Sequence, residues 1–249
     1  MSFNIFKQPE KKNSNLRFEK KYRISIFDYY AIKNSLTPYL NFDAFTKIAP
    51  ENMYLVRSLY FDTREYKTYK EKINGDSNRI KFRIRTYGTQ PEDNPDIRVE
   101  LKVRNGNLMD KHGTFISFQQ YQSLMNKNQQ YLNNDPVQIE FFRYIFKWDL
   151  VPKTLVQYCR EGFQSKMHDG IRITFDHDIK CAFSKDLFPK NIHWRKHYHS
   201  HIVMEIKYKE NVPFWLNNLI QSFNLKIVPN SKYTNSIELA SKDTVLGVW

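Results

Sequence analysis

Apolar and polar residues alternate with a period of two in several stretches of the chain. In RIKFRIRT (79–86), Arg79, Lys81, Arg83 and Arg85 take every second position, with Ile80, Phe82 and Ile84 between them. Side chains on a strand point to opposite faces in turn, so this stretch predicts a strand with one cationic and one apolar face. The pattern recurs at 97–104, where Arg98, Glu100, Lys102 and Arg104 oppose Val99, Leu101 and Val103. At 171–176 Arg172, Thr174 and Asp176 oppose Ile171, Ile173 and Phe175, and at 203–207 Glu205 and Lys207 flank Ile206. Glu19, Lys21 and Arg23 repeat it in a first strand (17–26), and Tyr158 and Arg160 in a strand over 153–165.

MYLVRSLYFDT (53–63) and LMDKHGTFIS (108–117) add two more strands, joined to their neighbours by the turn residues NGDS (74–77) and NGN (105–107). A wider spacing of apolar residues predicts helices after Ser25 or Asp28, after Asp62 or Thr63, and over 118–132, 137–150 and 213–225. A final segment begins at NSKYTNSIELAS. Residues 1–15 read as a peripheral or disordered lead-in, and 184–201 as irregular and rich in histidine. Nothing cuts 16–249 in two, so the expectation is one α+β domain dominated by antiparallel strands.

Two arrangements suit such strands. In a one-sided sheet the apolar faces cover a core and the charges are wet, which accounts for any single strand. It accounts poorly for their sum, because the polar faces carry a large excess of Arg and Lys, and like charges opposite one another on paired strands repel. The alternative is a closed antiparallel barrel, a tunnel with a charged lumen and with helices on its apolar outer wall. An enclosed row of cations calls for an anion, since an unpaired buried charge costs on the order of several kcal/mol. Composition points the same way. The 249 residues include 39 Lys+Arg against 26 Asp+Glu, a net charge of +13, which favours anionic partners such as nucleotides, polyphosphate, nucleic acid or an acidic membrane face. Nucleic acid is not expected, because Ile, Val and Leu separate the cations where aromatic stacking platforms would be needed.

The two cysteines, Cys159 and Cys181, lack metal or redox spacing. The N-terminal residues have no apolar run of a signal peptide, and no stretch approaches a membrane span. A cytoplasmic location is the expectation.

Eight motifs in order then carry a family resemblance: RFEKKYRI, SLYFDT, KFRIRTYG, VELKVR, VQYCREGFQ, IRITFD, VMEIKY and VPNSKY. Together they resemble the polyphosphate polymerase domain of the vacuolar transporter chaperone (VTC) family, within the CYTH or triphosphate tunnel metalloenzyme group, over about residues 17–240. The resemblance implies an antiparallel tunnel barrel. It implies that phosphate is gripped by Lys21, Arg83, Arg85, Lys102, Arg160, Arg172, Lys207 and Lys232, with Lys111, Tyr158 and Ser231 also binding substrate. Glu205 is implied as the carboxylate that holds a divalent metal, Mn²⁺ or Mg²⁺, with Glu19 a second candidate. In one respect the chain departs from many tunnel enzymes. They open with an E-x-E-x-K strand, and here Arg17 replaces the first glutamate, leaving Glu19, Glu100 and Glu238 as further acids.

The implied activity is transfer of the γ-phosphoryl group of ATP to a growing polyphosphate chain. A metal-dependent triphosphatase and a non-catalytic polyphosphate or nucleotide sensor are the rivals on the same fold. The resemblance also allows a membrane-protein partner. In HWRKHYHSH (193–201), His197 and His201 have helical metal-ligand spacing, but the flanking residues read as loop then strand, so a solvated basic loop is expected there.

Overall fold

The computed structural model of the protein describes residues 18–91, 96–106, 108–128, 135–168, 170–209 and 211–245. The lead-in (1–15) and Arg17 lie outside them. The chain opens with β1 (Phe18–Ser25), and Ser25 caps α1 (Ile26–Leu36) by accepting from the Asp28 amide at 3.0 Å. β2 (Leu40–Phe42) and α2 (Ala44–Ile48) follow, then β3 (Tyr54–Asp62). Both expected caps serve α3 (Lys67–Ile73): Thr63 accepts from the Lys67 amide and the Asp62 carboxylate from those of Thr68 and Tyr69. β4 (Asn78–Thr86), β5 (Ile97–Asn105) and β6 (Leu108–Ile116) form a meander.

α4 (Phe118–Met125) opens on a Ser117–Gln120 capping box, and it is shorter than the helix expected over 118–132, of which 129–132 lie outside the described residues. α5 (Pro136–Lys147) starts at proline behind an Asp135 cap. The long strands β7 (Val151–Ser165) and β8 (Arg172–Phe183) come next, then β9 (Arg195–Lys196), β10 (His201–Tyr208), α6 (Phe214–Ser222) and α7 (Lys232–Val245).

The sheet runs β1-β10-β8-β7-β3-β4-β5-β6 with antiparallel neighbours, β2 adding to β7 and β9 to β8. It curls until its first and seventh strands touch. Glu19 on β1 accepts from Lys102 on β5 at 3.4 Å. The expected tunnel barrel is therefore the observed architecture, but its closure differs in kind. β1 and β6 end the strand order instead of pairing with each other. The edge of β1 is covered by the segment before α7, where Ile227 bridges to Tyr22 and the Val228 amide donates to the Lys21 carbonyl at 2.9 Å. That cover satisfies edge groups that a ladder would otherwise have to satisfy.

The apolar faces point outward, under helices. Ile80, Phe82, Ile84, Val99, Leu101 and Val103 are at most 2 % exposed and form one cluster with α4 and α5. Phe82 packs on Phe141, Tyr144 and Trp148 at 5.8, 5.1 and 5.7 Å between ring centroids. A second cluster joins Tyr22, Ile24, Ile173, Phe175 and Met204 to α1 and α6. With about 1.5–3 kcal/mol for each large apolar side chain buried, the two outer layers leave the charged faces nowhere to turn except inward.

Candidate functional site

The inner face places like charges directly opposite one another. Arg79 faces Arg104, Lys81 faces Lys102 and Arg85 faces Arg98 across β4 and β5, and Lys102 faces Lys111 across β5 and β6. Three groups of carboxylates, in which Asp176, Glu100 and Glu205 are buried and Glu19 is not, hold most of the remaining cations.

Asp176, fully buried on β8, receives Arg160 as a fork at 2.6 and 2.9 Å and Lys232 of α7 at 2.5 Å. Burial opposes its ionisation, but Arg160 and Lys232 outweigh that and bring its pKa down to about 2. Glu100, 1 % exposed on β5, pairs with Arg83 and with Lys111 at 2.5 Å. Its pKa also falls well below the usual range, because Arg83, Arg85 and Lys111 overcome the cost of burial. Glu205 on β10 holds Lys207 at 2.7 Å and Lys21 at 3.5 Å, and Glu19 holds Lys21 at 2.8 Å. Burial and the charge of Glu205 push Glu19 up, yet Lys21, Lys102 and Lys207 bring it down to about 2.

Arg85 has no such carboxylate. It donates to the hydroxyls of Ser58 at 3.3 Å and Tyr158 at 3.4 Å, and no ion pair joins it among the described residues. Tyr158 lies under two cations, with the Arg160 guanidinium 5.1 Å and the Lys232 ammonium 4.5 Å from its ring centre. Ser231 accepts from Lys81 at 2.9 Å.

The residues proposed from sequence thus converge, with one displaced. Arg172 sits near the rim, about two-fifths exposed, and pairs with Asp43 at 2.7 Å and the Tyr54 hydroxyl at 3.3 Å. Asp43 reaches it by lying against Gly162, where a Cβ would fall 2.1 Å from the carboxylate. Glu238, one of the acids noted in the sequence, is exposed on α7. The loop expected to be solvated is partly buried instead. β9 pins it to β8, the His197 amide donates to Ile179, and the His197 ring packs inside with Nε2 2.9 Å from Ser236 Oγ. Sequence reasoning also passed over Asp176 and Tyr60 as site residues. The alternation placed Asp176 on the inner face. Tyr60, whose hydroxyl accepts from Arg83 at 3.3 Å, carried no signal in a strand buried on both faces from Val56 onward.

Mg²⁺ and Mn²⁺ take oxygen ligands, commonly one or two carboxylates together with substrate phosphates. The inner face fits that requirement. Glu205 and Glu19 share Lys21, and Thr174, opposite Glu205 in the register, has a buried hydroxyl without a partner. Among the described residues, no group of three or more His, Cys, Asp or Glu side chains could hold a metal unaided. The donors therefore suit an ion that arrives with phosphate.

The sequence profile of the VTC domain matches residues 16–241. The chain belongs to the VTC-domain family. The VTC fold seen here also resembles a solved adenylate-cyclase candidate from Bacillus halodurans, with a TM-score of 0.50 and 12 % identity, covering 87 % of this chain and 94 % of that one. An adenylyl-cyclase candidate from Hippeastrum, described as having a dominant triphosphatase activity, aligns with a TM-score of 0.49 and 14 % identity over 86 % of this chain and 92 % of the other. No functionally curated protein matches the sequence. At these identities the likeness concerns the fold.

Proposed function

We propose that this VTC-domain protein is a polyphosphate polymerase. A terminal oxygen of the acceptor polyphosphate attacks the γ-phosphorus of ATP, the bond from that phosphorus to the β–γ bridging oxygen breaks, and ADP leaves. The acceptor oxygen is already anionic at neutral pH, so the reaction needs positioning and charge neutralisation more than a base. The observation that carries this reading is the convergence of Arg and Lys from β1, β4, β5, β7, β10 and α7 on one enclosed face, with Arg85 lacking a carboxylate partner. Lys21, Arg83, Arg85, Lys102, Arg160, Lys207 and Lys232 would grip linked phosphates, and Lys111, Tyr158 and Ser231 would complete their surroundings. Arg172 would join them on exchanging Asp43 for a phosphate. Glu205, with Glu19, would hold a Mn²⁺ or Mg²⁺ ion, which supplies charge neutralisation on the phosphate oxygens when bound.

Incubating the protein with ATP and Mn²⁺ and running a phosphate-stained gel tests the reading. A ladder of lengthening chains is expected. Orthophosphate alone would assign a triphosphatase, and nucleotide binding without turnover a sensor. Glu205→Gln should abolish metal-dependent turnover, whereas Arg85→Ala should weaken triphosphate binding by about 1.5–3 kcal/mol, the value of a charge-assisted hydrogen bond. A Glu205→Gln variant with full turnover would remove the metal assignment.

A further inference from the structure

The strap between β8 and β10 grips the helix that carries Lys232 from outside the tunnel. β9 pairs with β8, Lys196 holds Asp178 at 2.9 Å, and the His197 amide donates to the Ile179 carbonyl at 2.8 Å. From that anchored backbone two side chains turn onto α7, whose first residue is Lys232. The Tyr198 hydroxyl accepts from Asn235 at 2.7 Å and from Arg23 of β1 at 3.1 Å. The His197 ring, 8 % exposed, places Nε2 2.9 Å from the Ser236 hydroxyl, and that hydroxyl lies 2.7 Å from the Lys232 carbonyl.

Proton accounting fixes the direction of this relay. A carbonyl only accepts, so the Ser236 proton goes to Lys232. The bond between His197 and Ser236 must then be donated by Nε2–H, which leaves Nδ1 as a bare lone pair. Among the described residues that buried Nδ1 has no hydrogen-bond partner. The ring is held neutral, its pKa pushed down to about 4, first by burial and then by the charge of Lys232. A phenylalanine would fill the same space without burying an orphaned nitrogen, so packing alone does not account for histidine here. What histidine adds is one directed N–H that reaches the first turn of α7 through Ser236. That turn carries the Lys232 ammonium, 2.5 Å from Asp176 and 4.5 Å from the Tyr158 ring centre.

We infer that His197 is a positioning residue for Lys232: through Ser236 it fixes the first turn of α7 and so aims the Lys232 ammonium at the transferring phosphoryl group. This role rests on the polymerase reading and adds to it a residue outside the tunnel. Lys232 is one of several cations that grip phosphate, so its aim matters less for holding the substrate than for the transition state. There a displacement of about 1 Å can cost on the order of a hundredfold. The Tyr233 hydroxyl, donating to Asp62 at 2.6 Å, keeps α7 docked when His197 is changed.

Three single variants and one double variant separate aim from plain scaffolding. His197→Phe fills the space and removes the donor, His197→Gln keeps an amide N–H near the Nε2 position, and Ser236→Ala breaks the relay with a good helix former. Each is assayed with ATP and Mn²⁺ for total turnover, polyphosphate and orthophosphate together, and titrated calorimetrically with inorganic triphosphate. Circular dichroism checks the fold, and if His197→Phe does not fold, Ser236→Ala carries the same comparison. His197→Phe and Ser236→Ala should each lower kcat by about tenfold or more, with KM for ATP and triphosphate affinity within about threefold of wild type. His197→Gln should recover kcat to within about threefold of wild type. The His197→Phe/Ser236→Ala double variant should lose no more than the worse single one, because both break one relay. An unchanged kcat, an affinity loss as large as the kcat loss, a glutamine variant no better than phenylalanine, or losses that multiply in the double variant would each overturn the role. Orthophosphate as the sole product, with the expected pattern among variants, would remove the polymerase reading and leave the positioning role standing. A polyphosphate ladder made by every variant at the wild-type rate would do the reverse. A wild type that turns over no ATP would remove both.

Discussion

Asp176 holds two cations with one fully buried carboxylate. An asparagine there keeps the shape and removes the charge, leaving Arg160 and Lys232 together against the Tyr158 ring without their shared carboxylate. Breaking a buried ion pair from one side costs about 3–5 kcal/mol, because the surviving charge stays desolvated and unpaired. For a domain of this size each kcal/mol moves the melting temperature by about 2–4 °C, so Asp176→Asn should melt roughly 6–20 °C below wild type. A bound polyanion would replace the missing charge. Triphosphate at a hundred times the wild-type Kd stabilises the wild type by about 2.7 kcal/mol, and at that same concentration the variant should gain more, since relief of the repulsion lowers its Kd. Scanning fluorimetry with and without inorganic triphosphate reads both quantities. The expected result is a lower melting point without ligand and a larger ligand-induced rise than in wild type. A variant that melts with wild type, or that triphosphate raises by the same increment, would refute the claim that internal carboxylates stand in for phosphate.

Two further outcomes follow from particular contacts. Because burial, then the charges of Lys102 and Lys21, bring Lys81 down to about 7 in the folded protein from near 10.5 when unfolded, the unfolded chain binds more protons between those values, and stability should rise with pH across that window; urea midpoints at pH 7 and pH 9 should differ in wild type more than in Lys81→Met, and equal differences would contradict the assignment. Gly162→Ala would drive a methyl group into the Asp43 carboxylate, freeing Arg172 and loosening the start of α2, with a loss of about 1–3 kcal/mol typical of overpacking; an unchanged urea midpoint would show that Asp43 yields freely.

Local pattern carried much of the architecture. Period-two alternation predicted β1, β4, β5, β8 and β10 and the residues on each face, because side-chain direction in a strand follows from the backbone alone. Capping residues likewise marked where α1 and α3 begin. β2 and α2 had no such signal. A three-residue strand and a five-residue helix are held by long-range contacts, Leu40 opposite Ser165 and the Asp43 amide on the Gly162 carbonyl, which no short window contains. His197 looked like part of a wet loop because its burial depends on α7 arriving from the far end of the chain.

The amino-acid order by itself determined that many strands would each carry a cationic face and an apolar one, and that the chain as a whole would be strongly basic. Which face turned inward was decided by the tertiary structure. Helices α1, α4, α5 and α6 cover the apolar sides, and the free-energy gain of that burial drives the charges into the curl of the sheet. Pairing was decided there too. Asp176 meets Lys232, Glu19 meets Lys102 and Arg172 meets Asp43 only once residues tens to more than a hundred positions apart are folded together, since charges attract over ångströms of space and not along sequence.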